Sequence, residues 1–160
     1  MNSNFKTRIK MTILTIFLLL LTSLTIFALS IPVENNKTAA KLQKTLEETP
    51  LPEHTKLCDS ICAAGKLTGN GNGMQYFGGI LIQSDLSLEE LNHYYAKYRQ
   101  TEWEYMIKPQ TGTEIEPVEH GHMEFSYLQG KEAEDMEHYY IVYTWGSTRN
   151  IFADFDLRGH

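Results

Sequence analysis

Two histidines and a glutamate alternate at His120, His122 and Glu124. On an extended strand successive side chains point to opposite faces, so these three project from one face. Imidazole nitrogen and carboxylate oxygen both suit first-row transition metals, which makes the trio a ligand set for a metal-assisted enzyme. The same face continues to Ser126, and the water-facing side of a half-buried strand has that composition too. Cys58 and Cys62 form the second pair of interest. In a helix they share a face with His54; in a strand they share a face but lie about 13 Å apart, too far for a disulfide. The redox spacing Cys-x-x-Cys is not met. Two separate thiols are the first reading, with a disulfide closed in a bent segment and metal ligation beside His54 as the alternatives. A disulfide gains weight if the domain lies outside the cytoplasm.

Other arrangements carry less chemistry. The glycines from Gly65 to Gly79 suggest a phosphate loop, but that loop needs Lys-Ser/Thr after its last glycine, opening a helix. Here Gly73 runs into Met74-Gln75-Tyr76-Phe77, so a hairpin is expected and no nucleotide. Asp154, Asp156, Arg158 and His160 alternate as a carboxylate–guanidinium ladder suited to a solvated face rather than to an acid pair. No Ser or Cys stands in a nucleophile motif, so no catalytic residue is assigned.

The elements that must position these groups read as ββαββββ, an antiparallel α+β sheet with one helix laid on one face. Strands are expected at Lys56–Leu67, Met74–Gln83, Tyr105–Pro109, Met123–Tyr127, His138–Trp145 and Asn150–Leu157. Met74–Gln83 is apolar on both faces, which places it centrally. Thr68 to Gly73, with two Asn-Gly pairs, turns the first hairpin. Ser87 caps a helix, Glu90 reaches back to it, Leu86 staples onto Leu91, and the stripe Leu91, Tyr94, Tyr95, Tyr98 extends the helix to about Gln100.

The run Leu51-Pro52-Glu53-His54-Thr55-Lys56-Leu57, a strand hairpin, then Leu86-Ser87-Leu88-Glu89-Glu90-Leu91 ending in Tyr94-Tyr95 resembles small exported, membrane-anchored bacterial α+β domains. It covers roughly residues 51–108, and its Pro-rich entry and capped helix are structural requirements. The resemblance implies no activity and no functional residue.

Residues 11–33 carry no charge. Twenty-three helical residues span about 34 Å, enough for a hydrocarbon core of about 30 Å. Residues 1–10 form a basic tail (Lys6, Arg8, Lys10), 11–33 a transmembrane helix, 34–50 a polar stalk, and 51–160 the folded domain. Ala28-Leu29-Ser30 also fits a signal-peptidase site, so a secreted chain cleaved near Ser30 is the alternative. The apolar run exceeds the 7–15 residues usual for a signal peptide, which favours a retained single-pass anchor. Lys37, Lys41 and Lys44 after the span nearly balance the cations before it. The short basic leader still points to a cytoplasmic N-terminus and a domain outside. Thr49-Pro50-Leu51-Pro52 ends any helix entering the domain.

Residues 34–160 hold all 20 Asp and Glu but 11 of the 14 Lys and Arg, a net charge of −9. Nucleic acid and anionic lipid both need a basic face, so neither is an expected ligand. Fifteen aromatic residues fall between Tyr76 and Phe155. One helix covers one sheet face, so part of this aromatic surface is expected on a bare face carrying Tyr140, Val142 and Thr144, while Tyr139, Ile141, Tyr143 and Trp145 face the helix. The function expected is non-catalytic binding of a protein, peptide or envelope component by a membrane-tethered module without a cofactor. The metal-assisted enzyme using His120, His122 and Glu124 is the alternative.

Overall fold

The computed structural model describes residues 3–98 and 104–160. Its longest element is α1, Ser3–Glu48, a single helix that runs through Pro32. By length and composition its apolar part is able to cross a membrane. Beyond that part the helix does not become a stalk. Ile31, Asn35, Ala39, Leu42 and Leu46 recur at helical spacing, and all but the half-buried Leu42 are buried. This stripe seats residues 31–48 on the sheet. Leu42 and Leu46, four residues apart, mark one helical face in the sequence, but small and polar residues such as Ala39 and Asn35 hid its extent and its docking on the sheet. Thr49 and Pro50 end the helix, and the Thr49 hydroxyl donates to the Thr45 carbonyl at 2.8 Å.

Four strands follow: β1 Thr55–Gly65, β2 Gln75–Ser84, β3 Met106–Pro109 and β4 Tyr139–Gly146. They pair antiparallel in the order β1-β2-β4-β3. β2 is central, as its two apolar faces require. The helix α2, Leu88–Ala96, has the expected capping box. Glu90 N donates to Ser87 Oγ at 3.3 Å, and Ser87 N donates to Glu90 Oε2 at 2.8 Å. The expected end of this helix near Gln100 lies outside the described residues.

Two expected strands are absent. Residues 123–127 form a lone bridge, Glu114 with Glu124, and then a 3-10 turn over Ser126–Leu128. That turn is held by Asp59, whose Oδ2 accepts from Tyr127 N at 3.0 Å, and it buries Phe125 and Leu128 together. Residues 150–157 are not extended either. Asn150 Oδ1 accepts from Phe152 N and Ala153 N, both at 2.9 Å, and so starts the short helix α3, Ile151–Phe155.

Both faces of the sheet are covered. On one, α1 and α2 pack Leu46, Leu91 and Tyr95 against Ile80, Ile82, Tyr140 and Val142. On the other, the segment between β3 and β4 brings Ile115, Phe125, Leu128 and Met136 over Phe77, Leu81, Tyr139, Ile141 and Tyr143. The face expected to meet the helix therefore meets that connecting segment instead. β4 is apolar on both sides, so its side-chain weight did not reveal which side faces a helix. Gly78 does: a Cβ there would stand 2.7 Å from Gln43 N, so only glycine admits α1 this close.

Candidate functional site

The expected metal trio divides. Gly121 takes φ 93, a turn, so His120 and His122 do not share a strand face. His120 Nε2 lies 2.8 Å from the Gly69 carbonyl and tethers the first hairpin loop. His122 and Glu124 instead meet Glu114, brought alongside by the Glu114–Glu124 bridge. One donor atom from each of these three lies within 4.8 Å of the others, and His122 Nδ1 is 3.5 Å from Glu114 Oε1. A His and two carboxylates offer three ligands of a four-ligand shell, leaving a position for water or substrate. Glu114 was missed because its partnership with Glu124 arises across a turn that no local pattern marks. Glu114 and His122 are exposed, so in water the cluster works against full hydration of each group.

The cysteines lie on opposite faces. β1 has an irregularity between Leu57 and Asp59, where two residues of β1 face one on β2, and this extra residue turns Cys58 away from the face of Cys62. Cys58 packs beside the Phe77 cluster and Cys62 beside Ala39 and Tyr76. Both are free, and burial raises the pKa of each thiol, so neither is poised as a thiolate. This geometry opposes the alternative of a disulfide, and the two thiols lie apart.

Tyr140, Val142 and Thr144 do not form a surface. Tyr140 is 9% exposed and the other two are buried; Tyr140 and Val142 pack in the cluster beneath α1 and α2. The Thr144 hydroxyl is buried with no hydrogen-bond partner among the described residues. The proposed binding face is core.

A concave surface lies along α2. An open groove of about 680 Å³ is lined by Leu86, Glu89, Glu90, His93, Tyr94, Ala96 and Lys97. Lys97 Nζ stands 3.8 Å from the Tyr94 ring centroid and 5.0 Å from that of Tyr98. The Tyr94 hydroxyl donates to the Pro50 carbonyl at 2.9 Å, and burial together with the neighbouring Tyr98 pushes its pKa up to about 12. The groove thus offers a neutral aromatic floor, a cation and two carboxylates.

Of the polar ladder at the C-terminus, Asp154, Arg158 and His160 are exposed, as a solvated face requires, but Asp156 is not. Asp156 is buried, where Asn35 Nδ2 donates to its Oδ2 at 2.7 Å and Arg158 Nη2 to the same oxygen at 2.7 Å. Arg158 Nε reaches the other oxygen at 3.0 Å. The Tyr76 hydroxyl donates to Asn35 Oδ1 at 2.6 Å. Arg158 Nη1 donates to Asn36 Oδ1 at 2.9 Å and Nη2 to the Pro32 carbonyl at 3.4 Å. The Arg158 guanidinium beside Asp156 holds its carboxyl at about 2, and burial pushes the Tyr76 hydroxyl up. This network clasps the end of the chain to α1 where the apolar part of the helix ends. The one sequence signal for it is Asn35, a polar residue at a core position of the α1 stripe. Comparison with known proteins finds no family model, no curated relative and no solved structure that matches this chain.

Proposed function

We propose that the protein is a membrane-tethered, non-catalytic module on the outer side of a bacterial cell membrane, binding a protein, peptide or envelope component. The supporting observation is α1: one helix supplies a largely exposed apolar stretch up to residue 30 and core residues from Ile31 onward. Such a helix holds the domain at the bilayer surface without a flexible spacer. Retention of the anchor over cleavage near Ser30 is favoured because Phe27, upstream of that site, already packs against Phe152 and Phe155 of the folded domain. The α2 groove takes the place of the buried Tyr140 face as the binding surface. Its open shape and mixed aromatic and charged lining suit a peptide segment.

Orientation is tested with Asn72→Cys, in the exposed hairpin loop, on a background with Cys58 and Cys62 replaced by serine. An impermeant maleimide should label it in intact cells. Labelling that appears only after permeabilisation places the domain inside. Binding is tested with a photo-crosslinking residue at His93 and a control at Asn70. A discrete adduct from His93 alone is expected, whereas adducts absent or equal at both sites remove the groove from the reading.

The Glu114, His122 and Glu124 cluster favours a second reading, metal-assisted chemistry at an open three-ligand site. Metal analysis of the purified chain, alone and as His122→Ala, decides it. Stoichiometric transition metal lost in the variant supports the enzyme, and none in either supports the binding module.

A further inference from the structure

The three most exposed large apolar residues described in the domain lie together in one short segment. Ile151 is 54% exposed, Phe155 60% and Leu157 86%. All three come from α3 and the turn that follows it. Phe152 and Phe155 also reach α1: each ring centroid lies 6.0 Å from that of Phe27. Phe27 belongs to the uncharged stretch, seven residues before Glu34, the first charge after it. Seven helical residues measure about 10 Å along the axis. α3 therefore lies beside the outer part of the span, at the depth of roughly 5–10 Å where amphipathic segments rest in a bilayer.

From these positions we infer a second membrane contact, which rests on the tether reading above: residues 151–157 lie in the near interface of the same bilayer that α1 crosses. Ile151, Phe155 and Leu157 enter the lipid. Ala153 faces the domain, buried beside Met74 and Tyr76. The exposed Asp154 keeps the segment at headgroup level and out of the hydrocarbon core. Arg158 sits at the boundary, its aliphatic stem inward and its guanidinium held by Asp156, Asn36 and the Pro32 carbonyl. The clasp fixes the segment's depth relative to α1, so the domain has two anchoring points and a set orientation over the membrane. The contact rests on apolar side chains, and of the two arginines that flank it Arg158 is paired with Asp156, so no anionic headgroup is required.

The test uses the full chain in phosphatidylcholine vesicles, with Cys58 and Cys62 replaced by serine. Nitroxide labels are placed singly at Leu157→Cys, at Leu19→Cys within the span and at Asn70→Cys in the hairpin loop. Collision rates are read with oxygen, which partitions into lipid, and with a water-soluble nickel chelate. The label at 157 should favour oxygen, as at Leu19, with nickel access several-fold below that at Asn70. Adding Phe155→Asn should raise its nickel access toward the Asn70 level. Nickel access at 157 equal to that at Asn70, with Leu19 still favouring oxygen, overturns the contact and leaves the tether standing. Low access of both reagents at 157 means a protein surface covers it, which also overturns the contact. Nickel access at Leu19 overturns tether and contact together. Leu157→Trp in the chain with native cysteines provides an independent measurement: its added fluorescence should be quenched by lipids brominated near the headgroup, and an unquenched signal counts against the contact.

Discussion

Replacing Gly78 by alanine strikes the closest approach between α1 and the sheet. The added Cβ would stand 2.7 Å from Gln43 N, 2.8 Å from Leu42 Cβ and 2.9 Å from Leu42 C. Unstrained contacts between such atoms are about 3.5 Å or more, so the helix must retreat by roughly 0.7 Å. Two of the three obstacles are backbone, and the flanking Ala39 and Leu46 are buried, so no side-chain rotation relieves the clash. Overpacking of this kind costs about 1–3 kcal/mol, and a backbone obstacle places it near the top. Alanine also restricts the unfolded chain, returning roughly 0.4–1 kcal/mol. The net expectation is a loss of about 2 kcal/mol. Gly79→Ala is the control, because its Cβ would meet the Phe77 ring at 3.1 Å and Ile141 Cδ1 at 3.5 Å, which are side chains that can yield. It should cost less than about 1 kcal/mol. Denaturant midpoints of the full chain in mild detergent, followed by near-ultraviolet circular dichroism, measure both. Equal effects at the two glycines would show that α1 does not rest on β2.

Ser87→Ala should cost about 1 kcal/mol through loss of the α2 cap, read from the same denaturation curves, and no change would mean that α2 does not depend on its capping box. Tyr140→Ala and Tyr143→Ala should each destabilise by about 3–5 kcal/mol, since one packs under the helices and the other under the connecting segment; a neutral Tyr140→Ala would restore the bare face. Asp156 is held at about 2 in the folded chain against 3.8 unperturbed, a depressed carboxylate. Its stabilisation is therefore complete above about pH 4 and disappears as pH falls toward 2. It amounts to about 1–2 kcal/mol once the half-exposed Arg158 is allowed for. Asp156→Asn should thus lower stability at pH 7 by a margin that closes below pH 4, whereas a margin independent of pH would contradict the carboxylate's role.

The strands and α2 were legible because each follows from local features: β2 apolar on both faces, Asn-Gly turns after β1, and Ser87 paired with Glu90. What was not legible depends on contacts distant in sequence. The stripe of α1 reads as polar until Gly78 is seen to receive Leu42 and the Tyr76 hydroxyl to receive Asn35. The even spacing of Cys58 and Cys62 lost its meaning at a β1 irregularity. The alternation of Ile151, Ala153, Phe155 and Leu157 imitates a strand, yet Asn150 caps a helical turn there. At the candidate metal cluster, His122 and Glu124 stand in the spacing that marks them, but a turn at Gly121 removed His120 and a bridge across the turn ten residues back supplied Glu114.

The central claim is that one unbroken helix both crosses the membrane and forms part of the domain's core. Spin labels at Thr22→Cys and Lys37→Cys, on the background lacking the native cysteines, report this directly in reconstituted bilayers. Fifteen helical residues separate them, close to a whole number of turns, so a continuous helix predicts a narrow distance distribution centred near 22 Å. A hinge at Pro32 or a flexible stalk would broaden the distribution and shift its centre, and that result would contradict the account.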